Sequence, residues 1–283
     1  MTSIDASTGS ISVERRNHVA IVWLDRPDKL NAMAPAFWEG FPAAIERLGS
    51  DDDVRVVVVA GRGRAFSVGI DLAAFGPAFA SGSIPGADGV AGSDVAQRRA
   101  LYRQVKRMQH TFNALAECPK PTIAAIHGYC LGAGVDLITA CDIRLCADDA
   151  VFSVRETRLA MVADVGTLQR LPRIVDPGTV AELVYTGRDF TAQEACDMGL
   201  VRRVLPDADA VLDAALTMAE EIAANSPLAV QGAKAVLRNT DGRSLGEQLD
   251  YMALWSAAFL MSDDLGEALR AVVEGRDPDF TGG

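Results

Sequence analysis

Val54-Arg-Val-Val-Val-Val-Ala-Gly-Arg-Gly-Arg-Ala-Phe-Ser-Val-Gly-Ile-Asp-Leu72 decides the fold class. Its first part, Val54 to Ala60, is rich in β-branched residues and apolar on both faces, the pattern of a strand buried inside a helix-covered sheet. The second part, Gly61 to Leu72, follows that strand as a glycine-containing turn and leads into a helix. Such junctions leave backbone N–H groups unpaired and able to meet an oxyanion. An ordinary tight turn reads the same way, because glycine is common in turns.

Downstream, Pro121 to Ile126 is a second buried strand, and His127-Gly-Tyr-Cys-Leu-Gly-Ala-Gly-Val-Asp-Leu137 is again a small-residue turn before a helix. Ile123 to Ala133 therefore reads as strand and glycine turn, Val135 to Cys141 as helix, and Ile143 to Phe152 as strand. This is repeated α/β architecture. Upstream, Ile11 to Glu14 and Val19 to Leu24 flank a polar turn and predict a hairpin. Pro35 to Leu48 has helical spacing, with Pro42 expected to bend it.

Phe79 to Ser93, rich in Gly, Ser, Pro and Ala, reads as a mobile surface loop, either a plain linker or a ligand lid, ahead of a polar helix through Cys118. From about Asp207 the pattern changes to helices over Ala208 to Ala224, Leu228 to Leu237 and Leu245 to Met261. We expect an α/β core over residues 1–206 and a helical region over 207–283, whose apolar faces cover either their own core or a neighbouring subunit.

The chain of 283 residues carries a formal charge of −11, so phosphates gain no net attraction, and nucleic acid and anionic membrane surfaces are poor partners. No apolar run reaches membrane-spanning length, and the start has no signal-peptide core. Five cysteines without a CxxC pair read as small apolar residues in a reducing compartment. We expect a cytoplasmic protein. The three histidines, His18, His110 and His127, without H-E-x-x-H or paired CxxC, predict no metal site. Neither glycine turn reads G-x-G-x-x-G, and Ala65-Phe-Ser-Val-Gly69 misses the first glycine of a nucleophile elbow.

Among the acids, a family resemblance carried by the motifs given below points to three as candidates for chemistry: Asp136, Glu156 and Asp164. Asp136 and Asp164 have apolar neighbours, which disfavour the charged form and move a carboxyl pKa towards proton transfer near neutrality. Capping, ion pairing or plain exposure would equally explain any single acid, with Arg144, Arg155 and Arg158 as available partners.

Arg26-Pro-Asp-Lys-Leu-Asn-Ala-Met33, Ala65-Phe-Ser-Val-Gly-Ile-Asp-Leu72, Lys120-Pro-Thr-Ile-Ala-Ala-Ile-His-Gly128 and Gly132-Ala-Gly-Val-Asp-Leu137, in this order, resemble the crotonase (enoyl-CoA hydratase/isomerase) family across nearly the whole chain. Glu156 lies 20 residues and Asp164 28 residues after Asp136, and with Thr139-Ala-Cys-Asp-Ile-Arg144 and Ala163 to Pro172 this is similar to the family's dienoyl-CoA isomerases.

The resemblance implies a spiral of ββα units, with C-terminal helices joining subunits into a homotrimer or homohexamer. It implies an acyl-CoA thioester substrate, whose coenzyme A is the only cofactor-like group required, and an oxyanion hole from the N–H groups of Ile70 and Ala133. The family more often has glycine at the latter position; alanine keeps the N–H. Val68, Gly69, Asp71 and Leu72 complete the implied substrate-binding turn, with Lys29, Arg62 and Arg64 as candidate partners of the CoA phosphates. A family hydratase uses two glutamates, which fall on Asp136 and Glu156. Asp136 is one methylene shorter and Asp164 is an additional acid, so isomerisation of a 3,5-dienoyl-CoA to the 2,4-dienoyl-CoA is the first reading. Glu156 would act at C2, Asp164 at C6, and Asp136 would tune the pair. Hydration is the alternative, followed by a non-catalytic acyl-CoA-binding or RNA-binding relative.

Overall fold

The computed structural model of the protein describes residues 3–7, 9–80 and 94–283. An antiparallel meander opens the chain: β1 (Ser3–Ser7), β2 (Ile11–Arg16) and β3 (Val19–Leu24), with Ile11 opposite Leu24 and Arg16 opposite Val19. After a 3-10 turn at Pro27–Lys29 comes α1 (Pro35–Gly49), with Pro35 in its first turn, where no N–H is needed, and Pro42 inside it. Then follow β4 (Val56–Gly61), α2 (Leu72–Ala80), α3 (Asp94–Glu117), β5 (Thr122–Ile126), β6 (Tyr129–Leu131), α4 (Ala133–Ala140), β7 (Ile143–Ala147) and β8 (Val151–Ser153). Beyond a 3-10 turn at Glu156–Leu159 lie α5 (Thr167–Arg170), α6 (Pro177–Thr186), β9 (Phe190–Thr191), α7 (Ala192–Asp197) and β10 (Val204–Leu205). Four helices close the chain: α8 (Ala208–Ala223), α9 (Pro227–Arg238), α10 (Leu245–Phe259) and α11 (Asp263–Glu274).

The strands form two layers. The larger sheet runs β1-β2-β3-β4-β5-β7-β10, parallel from β3 onward, and the smaller runs β6-β8-β9. Each repeat sends one strand into each layer: β5 then β6 before α4, and β7 then β8 before the Glu156 turn. The bridges Ser67↔Cys130 and Met33↔Ile70 are the earlier repeats' shortest versions of the same second strand. The expected spiral of ββα units is therefore present. The single strand expected over Ile143 to Phe152 is in fact two, because the chain turns at Asp148 to Ala150 to change layers.

Both faces of the central strands are covered, which is why they read as unbroken apolar runs. In β3 and β4, Ala20, Val22, Leu24, Val57 and Val59 enter the core shared with α1 and α4. Their neighbours Val19, Ile21, Trp23, Val56, Val58 and Ala60 pack on Val211, Ala215 and Ala219 of α8. Of the helical region expected from 207, α8 covers the sheet, the first of the two arrangements considered for those apolar faces. From residue 81 onward, the stretch read as a linker or lid lies outside the described residues, while Phe79 and Ala80 end α2. Among the described residues no helix is long and apolar enough to cross a membrane.

Candidate active site

The first turn is held open by hydrogen bonds that skip one amide. Met33 N–H donates to Gly69 O (2.8 Å) and Asp71 N–H to Met33 O (3.2 Å), so Ile70 N–H, between them, has no partner among the described residues. Asn31, buried and at φ 55°, organises the turn: its side-chain amide donates to Arg62 O (2.9 Å) and Ala65 O (2.8 Å), and its side-chain oxygen accepts from Arg26 N–H (2.8 Å). Ser67 Oγ donates to Asn31 O (2.9 Å).

The second turn approaches the first at Gly69 (φ 85°), where a β-carbon would stand 2.7 Å from Leu131 O and 3.1 Å from Ala133 N. Only glycine permits that approach. Leu131 N–H donates to Ser67 O (2.9 Å) and Gly132 N–H to Ser153 O (2.9 Å). Ala133 is the first residue of α4, and Gly132 offers no side-chain cap, so the Ala133 N–H is likewise unpartnered among the described residues.

A cavity of about 300 Å³ brings four predicted residues together: Ile70, Ala133, Glu156 and Asp164, with Met161, Val162, Ala163 and Val165 as further walls. Glu156 is positioned by its neighbours, since Arg155 binds both oxygens of Asp189 (2.7 and 2.9 Å) and Thr157 Oγ1 donates to Val184 O (2.9 Å). Its own Oε2 is buried without a hydrogen-bond partner. Burial first, and the negative charge of Asp164 with it, push the Glu156 carboxyl above the usual carboxylate range. Asp164 stands at the rim with one side open to solvent, and loss of water on the cavity side raises it as well. Gln109 of α3 fastens its main chain by donating to Asp164 O (2.8 Å).

Asp136 is withdrawn from the cavity. It is fully buried on α4, where Oδ1 accepts from Thr167 N–H (2.5 Å) and Oδ2 has no partner. Burial, reinforced by the charge of Glu156, pushes its carboxyl up to about 7.

None of the three arginines considered as partners pairs with these acids. Arg144 binds main-chain carbonyls, Arg155 binds Asp189, and Arg158 donates to Thr186 O. Among the implied substrate-binding residues, Val68 N–H bonds Leu30 O (3.1 Å), tying the Lys29 turn to the oxyanion turn. Asp71 is used structurally: Arg26 pairs with it at 2.8 Å, and it caps α2 through Ala73 and Ala74. Leu72 lies on the exposed first turn of α2, and neither residue lines the cavity. Lys29 and Arg64 are exposed, whereas Arg62 stacks on Trp23 (3.6 Å to the ring centroid) and pairs with Glu14 (3.3 Å), which draws it away from a phosphate role. Asn31, Gln109 and Thr167 were not singled out by the sequence reading. Only Asn31, inside the Arg26 to Met33 motif, carried a signal, as an asparagine able to adopt the left-handed region.

Two free N–H donors facing two carboxyls of raised pKa make an arrangement suited to moving a proton on an acyl group while holding negative charge on its carbonyl oxygen. The enoyl-CoA hydratase/isomerase family model matches residues 14–283. The chain is 44% identical to the mitochondrial Delta(3,5)-Delta(2,4)-dienoyl-CoA isomerase of Rattus norvegicus, over 93% of this chain and 78% of that protein. It is 43% identical to the peroxisomal enzyme of that name from Arabidopsis thaliana, over 96% of each. Among solved structures, the enoyl-CoA hydratase of Bacillus anthracis superimposes with a TM-score of 0.85 at 32% identity, covering 97% of this chain and all of that one. These relatives correct the cytoplasmic expectation, because the isomerases that the chain resembles are mitochondrial and peroxisomal. By motif, fold and full-length similarity, the chain belongs to the enoyl-CoA hydratase/isomerase family.

Proposed function

We propose that the protein isomerises 3,5-dienoyl-CoA to 2,4-dienoyl-CoA. One observation carries this reading: Glu156 and Asp164 line the same cavity as the Ile70 and Ala133 N–H donors, while Asp136 stands behind it. The reaction removes a proton at C2 and adds one at C6, four carbons along, so two separate carboxyls serve it better than one. Glu156, as carboxylate, takes the C2 proton. The electron pair moves through the conjugated system onto the thioester oxygen, between the N–H groups of Ile70 and Ala133. Each such donor commonly contributes roughly 2.7 to 4 kcal/mol in acyl chemistry. Asp164, as acid, delivers a proton to C6, and the collapse of the enolate leaves double bonds at C2 and C4. The steps are redox-neutral, and the carboxyl and N–H groups supply each of them, so the reading needs no cofactor beyond the CoA of the substrate.

Asp136 supports this reading over hydration. A hydratase would use the Asp136 position together with Glu156 to activate water, but this aspartate is enclosed and held by Thr167 N–H. We assign it to tuning Glu156. Exposed Lys29 and Arg64 are the cations offered to the CoA phosphates. Self-association through the C-terminal helices completes the proposal, supported by apolar side chains left outward on α10 and α11, among them Leu254, Val272 and Val273.

The test presents the purified protein with a 3,5-dienoyl-CoA and a 2-enoyl-CoA in parallel, following 2,4-diene absorbance and hydration. Diene formation that disappears in Asp164→Asn is the expected outcome. Hydration alone, unaffected by that substitution, would return Asp136 and Glu156 as the working pair.

A further inference from the structure

α4 is a short buried helix fastened at both ends. Its N-terminal turn is held by main-chain bonds from Gly132 N–H to Ser153 O and from Val135 N–H to Gly132 O (2.7 Å), and by the Asp136 carboxylate, which accepts from Thr167 N–H. At the other end the anchor is a cation. Arg144, on β7, turns back so that Nη1 donates to Cys141 O (2.6 Å) and Ile138 O (3.4 Å), while Nε donates to Leu200 O (2.7 Å) in the segment after α7.

Arg144 is only 8% exposed, and each acceptor of its guanidinium is a neutral carbonyl. The adjacent carboxylate, Asp142, is committed elsewhere, to Thr122 N–H (2.8 Å), Thr122 Oγ1 (2.9 Å) and Lys234 Nζ of α9 (2.6 Å). A cation taken out of water without a counter-ion is costly, so its retention calls for a specific compensating role. The negative end of a helix supplies the compensation, because the last carbonyls have no intrahelical donor.

We infer that Arg144 is a positioning residue for the reaction: it clamps the C-terminus of α4 and so fixes the Ala133 N–H at the helix's other end against the thioester oxygen. Eight residues span about 12 Å, short enough for the helix to move as one body. A slip at Cys141 therefore reaches Ala133 undamped, and also Asp136, which must keep its bond to Thr167 N–H. The planar fork of arginine reaches α4 and Leu200 together, which the single ammonium of lysine does not do in the same geometry. The inference rests on the reading of Ala133 as an oxyanion donor.

The experiment uses Arg144→Lys and Arg144→Gln in the full chain, with folding checked by circular dichroism. Three quantities are read: kcat and KM for the 3,5-dienoyl-CoA, and the red shift of a bound arylacryloyl-CoA bearing an electron-donating ring, whose absorbance reports polarisation of its thioester carbonyl. The expected result is a kcat lower by about 10-fold to 100-fold with KM within about twofold, because small misplacements of a reacting geometry cost this much. The red shift should shrink in the same variants. Where Arg144→Gln does not fold, Arg144→Lys carries the test, since it keeps the charge. Folded variants that lose thermal stability alone, with kcat and red shift as in the parent, overturn the clamp. A parent protein that binds the chromophore without any red shift overturns the oxyanion reading itself, and the clamp with it, whereas a parent red shift kept intact in both variants overturns only the clamp.

Discussion

Gly132 stands directly against the Glu156 carboxylate: a β-carbon at 132 would lie 3.2 Å from Glu156 Oε1, and the residue holds φ at 53°. The backbone that delivers the Ala133 N–H is thus also one wall of the acid's seat. Gly132→Ala should therefore affect both partners. The left-handed conformation costs a residue with a β-carbon roughly 1–2 kcal/mol, and the methyl displaces the carboxylate by a few tenths of an ångström. We expect a lower midpoint in urea together with a kcat loss of at least about tenfold.

Glu156→Gln and Asp164→Asn should each leave the fold intact and reduce isomerisation by roughly 10²- to 10⁴-fold, the range of general acid–base catalysis. In the proposed reaction Glu156 works ionised, and its carboxyl is raised by burial, so activity should fall on acidification at a pH above the usual carboxylate range. The same proposal has Asp164 protonated, so activity should fall again as rising pH ionises it. The resulting bell belongs to the pair, and a pH profile of kcat/KM for parent and single variants measures it.

Asp136 is a burden on stability near neutrality. Its pKa rises from 3.8 to about 7 on folding, so between these values the unfolded chain releases a proton that the folded chain keeps. Stability from this group is whole below pH 3.8 and falls as pH rises towards 7, by at most on the order of 4 kcal/mol. Asp136→Asn keeps an oxygen for Thr167 N–H and removes the titration. We expect the variant to gain on the parent from pH 4 to pH 8 in urea unfolding, with a flatter pH dependence.

Asn31→Ala should destabilise by about 2–4 kcal/mol, because it strips the partners from the buried carbonyls of Arg62 and Ala65 and places alanine in a left-handed conformation. Denaturant titration measures the loss. A parallel rise in KM is expected, since the same side chain shapes the Ile70 turn.

The outward valines of α11, Val272 and Val273, are 81% and 87% exposed. If this face joins subunits, Val272→Asp with Val273→Asp should shift the sedimentation profile towards smaller species while leaving the circular dichroism spectrum unchanged. An unaltered profile would remove α11 from the interface.

The central strands were legible because β4 and β5 are apolar on both faces, a pattern that burial between helical layers alone explains. The hairpin, α1, α8, α9 and α10 were legible from their spacing. The division between β7 and β8 was not, because the chain changes layer within three residues and local composition records no such step. Which of the C-terminal helices covers the sheet was likewise not legible, because α8 and the helices after it have similar patterns and only packing places α8 on the strands.

At the site, the sequence by itself determined which residue types were available: glycines after strands, two amides at helix starts and three acids at spacings similar to a known family. Tertiary structure decided which of them meet. It placed Glu156 and Asp164 in one cavity with Ile70 and Ala133, enclosed Asp136, spent Asp71 on Arg26 and drew Arg62 onto Trp23. The physical reason is that burial and partnership are properties of three-dimensional neighbourhoods. A carboxyl's pKa and an amide's freedom depend on the atoms that reach them, and those atoms come from segments as far apart as Asn31 and Ala65, or Asp136 and Thr167.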